Sequence, residues 1–100
     1  MRILTVLGMV DLRNFIFPEP NERFDSAQNR VIFTGREGDR PITCAITHDA
    51  LNDYFEGVGH DPLKIFQINR QAIEHVARRK YLAGGHAPDG SILLSSADME

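Results

Sequence analysis

The residues able to do chemistry are few, and their spacing rarely brings two together. Cys44 and His48 stand four apart, and a thiol beside an imidazole could form a nucleophilic pair. A reactive thiol needs an exposed, electropositive setting. Cys44 instead alternates with Ile42 and Ile46 at the two-residue period of a half-buried strand, so it reads as a core cysteine. His48, His60, His75 and His86 never fall three or four apart, the spacing that puts two metal ligands on one helical face. They read as surface histidines, with a metal bridged between subunits the one arrangement left open. Glu37, Asp39, Asp53, Glu56 and Asp61 lie in turns or at helix ends, where acids are common, and nothing pairs two for acid–base work. The segment from Gly35 to Gly38 is too short for a phosphate loop and lacks its Lys-Ser/Thr. No catalytic residue, metal or cofactor is expected.

The one basic cluster is Arg78-Arg79-Lys80, with Lys64 and Arg70 upstream. Such residues could hold nucleic-acid phosphates, with an affinity that falls steeply with salt. The simpler reading is that cations in the last turns of a helix stabilise its negative end, and that Glu74 and Arg78 form a four-residue ion pair. No aromatic side chains interleave with the cluster to stack on bases. Asn69, Arg70, Arg78, Arg79 and Lys80 are therefore the binding candidates. Nucleic-acid association is the second functional expectation, and a small-ligand site beside Asn69 and Arg70 the third.

Composition bounds the elements that must carry these residues. One hundred residues with 42% apolar and 25% charged side chains suit one ordinary globular domain. A formal charge of −3 gives no overall pull towards phosphate backbones or acidic membranes. A single cysteine allows no intrachain disulfide, which fits a reducing compartment. The opening stretch from Met1 to Val10 is faintly signal-like, but Asp11 and Arg13 follow at once without a small-residue cleavage site. It is also short of the ~20 residues a membrane span needs. A cytoplasmic protein is expected. Residues 1–13 are read as an N-terminal extension, an edge strand, or the product of a start placed ahead of Met9.

Phe15-Ile16-Phe17, stopped by Pro18 and Pro20, suits a first strand. Residues 19–28 are polar without a helical stripe and read as a surface connection. Arg30 to Thr34 and Ile42 to Thr47 read as two strands around a turn from Gly35 to Arg40, a β-hairpin. Thr47 stands where an N-cap belongs, and Ala50, Leu51, Tyr54 and Phe55 give the following short helix one apolar face, ended by Gly57 and Gly59. Asp61-Pro62 starts a second helix with no breaker before Gly84-Gly85, about 22 residues and ~33 Å. Ser91 to Ser95 makes a last strand.

On that long helix Leu63, Ile65, Phe66, Ala72, Ile73, Val76, Ala77, Tyr81 and Ala83 cover nearly half the circumference. One small sheet rarely needs so wide an arc, so one edge of it is expected to pack on a second helix or subunit. Asn69 falls inside the arc and is expected to tie the helix to a strand edge or to a partner copy.

The order Phe17-Pro18, Val31-x-Phe33, Ile42-x-Cys44-Ala45-Ile46-Thr47 and Ala50-Leu51-x-Asp53-x-Phe55 resembles a bacterial family, domain of unknown function 1488. Asp61-Pro62-Leu63, Phe66, Asn69-Arg70, Ile73-Glu74, Ala77, Lys80-Tyr81, Gly90-x-Ile92 and Asp98 continue the likeness, which runs from Asn14 to Asp98. The resemblance implies a small single domain over residues 14–100 and assigns no catalytic residue. The expected fold is α+β: an antiparallel sheet of three or four strands, with the hairpin and the C-terminal strand, packed against a short and a long helix. The expected function is a non-enzymatic binding or regulatory module, self-associating through the long helix, with an unidentified protein partner also allowed.

Overall fold

The computed structural model describes residues 15–55 and 61–99. In chain order the elements are β1 (Phe15–Ile16), β2 (Arg23–Asp25), β3 (Arg30–Glu37), β4 (Arg40–Thr47), α1 (His48–Phe55), α2 (Pro62–Ile68), α3 (Arg70–Leu82) and β5 (Ile92–Leu94), closed by a 3-10 turn (Ser96–Met99). The expectations for residues 1–13, for the start at Met1 or Met9, and for Glu56, Gly57, Gly59 and His60 lie outside the described residues.

The hairpin of β3 and β4 is the framework. Its eight residue pairs run from Arg30↔Thr47 to Glu37↔Arg40, so the two-residue turn is Gly38-Asp39, with Gly38 at φ +61°. Glycine suits that left-handed position, and the strands extend through residues expected to be turn. Val31 and Phe33 on β3 meet Ile46 and Cys44 on β4, and Ile42 completes this inner face. The sheet is mostly antiparallel, in the order β1–β3–β4–β5 with β2 also pairing β3. β5 is parallel to β4, matching Ile92 to Cys44 and Leu94 to Ile46. The chain crosses from β4 to β5 through the helices, which is the connection a parallel pair requires.

β2 lies inside the stretch read as a surface connection. Arg-Phe-Asp has a single apolar residue, too few to show a strand period, and it pairs because Phe24 turns into the core beside Val31. β1 and β2 share one edge of β3. Between them Pro18 and Pro20 lack N–H groups, and the Asn21 side chain fills the gap. Its Oδ1 accepts from the Thr34 N–H at 2.9 Å and its Nδ2 donates to the Thr34 carbonyl at 3.2 Å. One amide thus does the work of a missing strand residue.

Helix starts follow the sequence signals. Thr47 Oγ1 accepts from Ala50 N–H at 3.1 Å, and Asp61 Oδ1 accepts from Leu63 N–H at 2.9 Å. Gly84, at φ +83°, ends α3 with Gly85 N–H donating to Lys80 O and Gly84 N–H to Tyr81 O, the paired bonds of a Schellman motif. The expected 22-residue helix is broken at Asn69. That residue takes φ −110°, ψ 20°, and its Nδ2 donates to Ile65 O at 2.9 Å, competing with its own backbone N–H for that carbonyl. Asn69 therefore ties the helix to itself and makes no hydrogen bond to a strand among the described residues.

The break changes the arc. Ile65 and Phe66 of α2 and Ile73 and Ala77 of α3 are buried, and Leu63, Val76 and Tyr81 pack at the margin. Ala72 and Ala83 remain exposed. On α1 Ala50 and Leu51 are buried and Phe55 packs on the core, while Tyr54 is exposed. All three helices cover the face of the sheet made by Val31, Phe33, Ile42, Cys44, Ile46, Ile92 and Leu94.

Asn21→Ala should lower stability by about 1 kcal/mol, or roughly 4–8 °C in melting temperature for a domain of this size. Asn21→Asp, which keeps the acceptor for Thr34 N–H and loses the donor, should fall between the two in a thermal melt.

Candidate functional site

Most of the cations singled out in the sequence are engaged within the fold. Arg70 makes a two-pronged contact with Glu22, Nη1 to Oε1 at 2.5 Å and Nη2 to Oε2 at 2.6 Å, and lies over the Phe66 ring. Gln67 Nε2 donates to the same carboxylate at 3.2 Å. Arg78 Nε donates to the Phe15 carbonyl at 2.9 Å, with its guanidinium over Phe17. The expected ion pair with Glu74 gives way to that contact. Lys80 Nζ donates to the Leu93 carbonyl at 2.7 Å and to Asp98 Oδ2 at 2.9 Å, which caps the open edge of β5. Arg79 and Lys64 are exposed without a hydrogen bond or ion pair among the described residues. The five candidates therefore do not form one patch, and three of the four cations are already spent on the chain itself.

Cys44 is buried, and burial pushes its thiol up to about 12, far from a nucleophile's range. His48 Nδ1 faces Asn29 Oδ1 at 3.2 Å. Among the described residues no three His, Cys, Asp or Glu side chains gather where they could hold a metal ion. No described helix is long and apolar enough to cross a membrane.

The surface that stands out was not singled out in the sequence. Residues directly opposite each other in a sheet share a face, so the side turned away from the helices reads in four rows. Ile16, Arg36 and Pro41 form the first, and Thr34 with Thr43 the second. Arg23, Ile32, Ala45 and Leu93 cross four strands in the third, and Asp25, Arg30 and Thr47 form the fourth. No described helix lies on this side. Arg30 is held by Asp25 at 3.1 Å, but Arg23 and Arg36 are exposed with no hydrogen bond or ion pair among the described residues. Leu93 keeps 47% of its surface exposed. Three arginines and one aspartate thus sit on one face of a chain whose formal charge is −3. A hollow of about 340 Å³ lies on this side, between Arg30, Ile32, Thr43, Ala45, Ser91 and Leu93. Its charged groups are already paired, Arg30 with Asp25 and Asp89 with Ser91, so it offers a small molecule little to hold. Period-two alternation of Arg30, Ile32, Thr34 and Arg36 was the available signal. It was hidden by reading Gly35 to Arg40 as a turn.

Glu22 is the most perturbed carboxylate. The Arg70 guanidinium holds it down to about 2 from its ordinary 4.5, against the opposing effect of its burial. A lowered folded-state pKa stabilises above the unfolded value and stops doing so as pH falls. The domain should therefore lose up to about 3 kcal/mol between pH 4.5 and 2 through this pair. Glu22→Gln should flatten that part of the stability–pH curve, measured by denaturant unfolding across the range.

The fold has a solved counterpart. A crystal structure of a protein of unknown function from Shewanella loihica PV-4 matches with a TM-score of 0.70 at 21% identity, over 81% of this chain and 91% of that one. At that identity the likeness speaks for the fold alone. No curated protein matches. The family model described as "Protein of unknown function (DUF1488)" matches residues 15–94, from the first residue of β1 to the last of β5. The chain belongs to the DUF1488 family.

Proposed function

We propose that this protein is a non-enzymatic binding or regulatory module whose working surface is the open face of its sheet, acting in the bacterial cytoplasm. The observation that carries this is the arginine-bearing side of the sheet, on which no described helix lies while the other side is packed by helices. Arginines that are exposed without a hydrogen bond or ion pair among the described residues suit the anchors of an interface, since a planar guanidinium loses little freedom when it pairs. The absence of a gathered nucleophile, base or metal set among the described residues leaves catalysis without a motive. The free thiol of Cys44 suits a reducing compartment. Nucleic-acid binding through Arg70, Arg78, Arg79 and Lys80 loses its support, because three of those side chains would have to abandon contacts inside the fold.

Self-association is a second reading, now favoured by Ile68, not by a wide helical arc. Ile68 is 74% exposed at the break between α2 and α3, next to exposed Ala72. An isoleucine this open is an apolar contact in want of a cover, and a second copy could supply one.

Affinity capture from a bacterial lysate separates the two readings. Protein carrying Arg23→Glu with Arg36→Glu should lose partners that the wild type retains, while its circular dichroism stays unchanged. An identical set of partners would sink the sheet-face reading. Light scattering at about 100 μM, a concentration at which weak homodimers assemble, tests the second. A dimer that becomes a monomer on Ile68→Glu supports it, and a wild-type monomer removes it.

A further inference from the structure

We propose that the segment received by this sheet face is an acidic stretch of polypeptide, its carboxylates on Arg23 and Arg36 and its aliphatic side chains against the exposed Leu93. This rests on reading the sheet face as the working surface. Arg23 stands opposite Ile32 on β3, and Arg36 lies four residues further along the same strand. At about 3.3 Å per residue the two cations are separated by ~13 Å along the strand direction, the span of acidic residues four apart in an extended segment. Between and beside them Thr43 and Leu93 are exposed and Thr34 is half-buried, while Ile32 and Ala45 on the same face are buried.

The alternatives fit this surface less well. A second copy placed face to face would set Arg23 and Arg36 against their own equivalents, and like charges brought together at an interface cost several kcal/mol. Single-stranded nucleic acid is bound through aromatic platforms on which bases stack, and the described residues of this face include none. A long polyanion would also extend over the rest of a chain that carries a formal −3, whereas a short acidic segment ends where the arginines end.

The test uses a fluorescein-labelled peptide of about twelve residues repeating Glu-Thr-Leu-Thr, which in an extended chain places glutamates four apart with the leucines between them on the same face. Its glutamine counterpart and an oligothymidylate serve as competitors. Fluorescence anisotropy should show saturable binding of the glutamate peptide, weakened about tenfold by Arg36→Glu and by raised salt, as expected when exposed charges carry the contact. Equal binding of the glutamate and glutamine peptides, absence of saturation, unchanged binding to Arg36→Glu, or tighter binding of the oligothymidylate would each overturn the proposal. If lysate capture still yields a partner that the Arg23→Glu, Arg36→Glu protein loses, the sheet face remains the working surface and only the acidic assignment falls.

Discussion

Strands β1, β2 and β4 all pair with β3, and one edge of it is closed by three unlike pieces of chain. Two residues of β1 pair with its end, three residues of β2 pair with its start, and the Asn21 side chain bonds both backbone groups of Thr34 between them. A strand edge left bare would be an invitation to pair with another chain. Closing it piecemeal lets the segment between β1 and β2 carry two prolines without leaving backbone groups unsatisfied. Gly35 is part of the same arrangement. A Cβ there would come within 2.9 Å of the Phe15 and Phe17 rings, so the bare backbone is what lets β1 and its aromatics seat against β3.

Cations of the helices hold this construction from the other side. Arg78 takes the carbonyl of Phe15, Arg70 takes Glu22 just before β2, and Lys80 takes the Leu93 carbonyl on the opposite edge of the sheet. Arg70, Arg78 and Lys80 of α3 therefore act as clamps between helix and sheet. Their aliphatic stems cross packed surface while the charged ends reach backbone or carboxylate oxygens. On the broad face turned away from the described helices, Arg23 and Arg36 are exposed and make no hydrogen bond or ion pair among the described residues.

Where sequence and structure diverge, the divergence traces to particular residues. The hairpin, both N-caps and the Gly84 stop were legible because each is a local event: alternation, a side-chain oxygen two or three residues from the N–H it receives, a left-handed glycine. Core Cys44 was legible for the same reason. β2 was not, because three residues with one phenylalanine carry no period. The helix break was not, because Asn69 is neither glycine nor proline, and what marks it is a side chain that shares Ile65 O with its own backbone N–H. The over-wide arc was an artefact of assuming one unbroken helix.

What the amino-acid order alone determined was the identity of most elements, the α+β fold class and the family, since propensity, capping and apolar period act over a few residues. Only the tertiary structure decided which cations stay free. Arg70 finds Glu22 forty-eight positions away and Arg78 finds Phe15 sixty-three away, while Arg23 and Arg36 find nothing among the described residues. Pairing across such distances depends on how elements stack, and no local pattern encodes it. The same holds for the open face, which exists because the helices all fall on one side of the sheet.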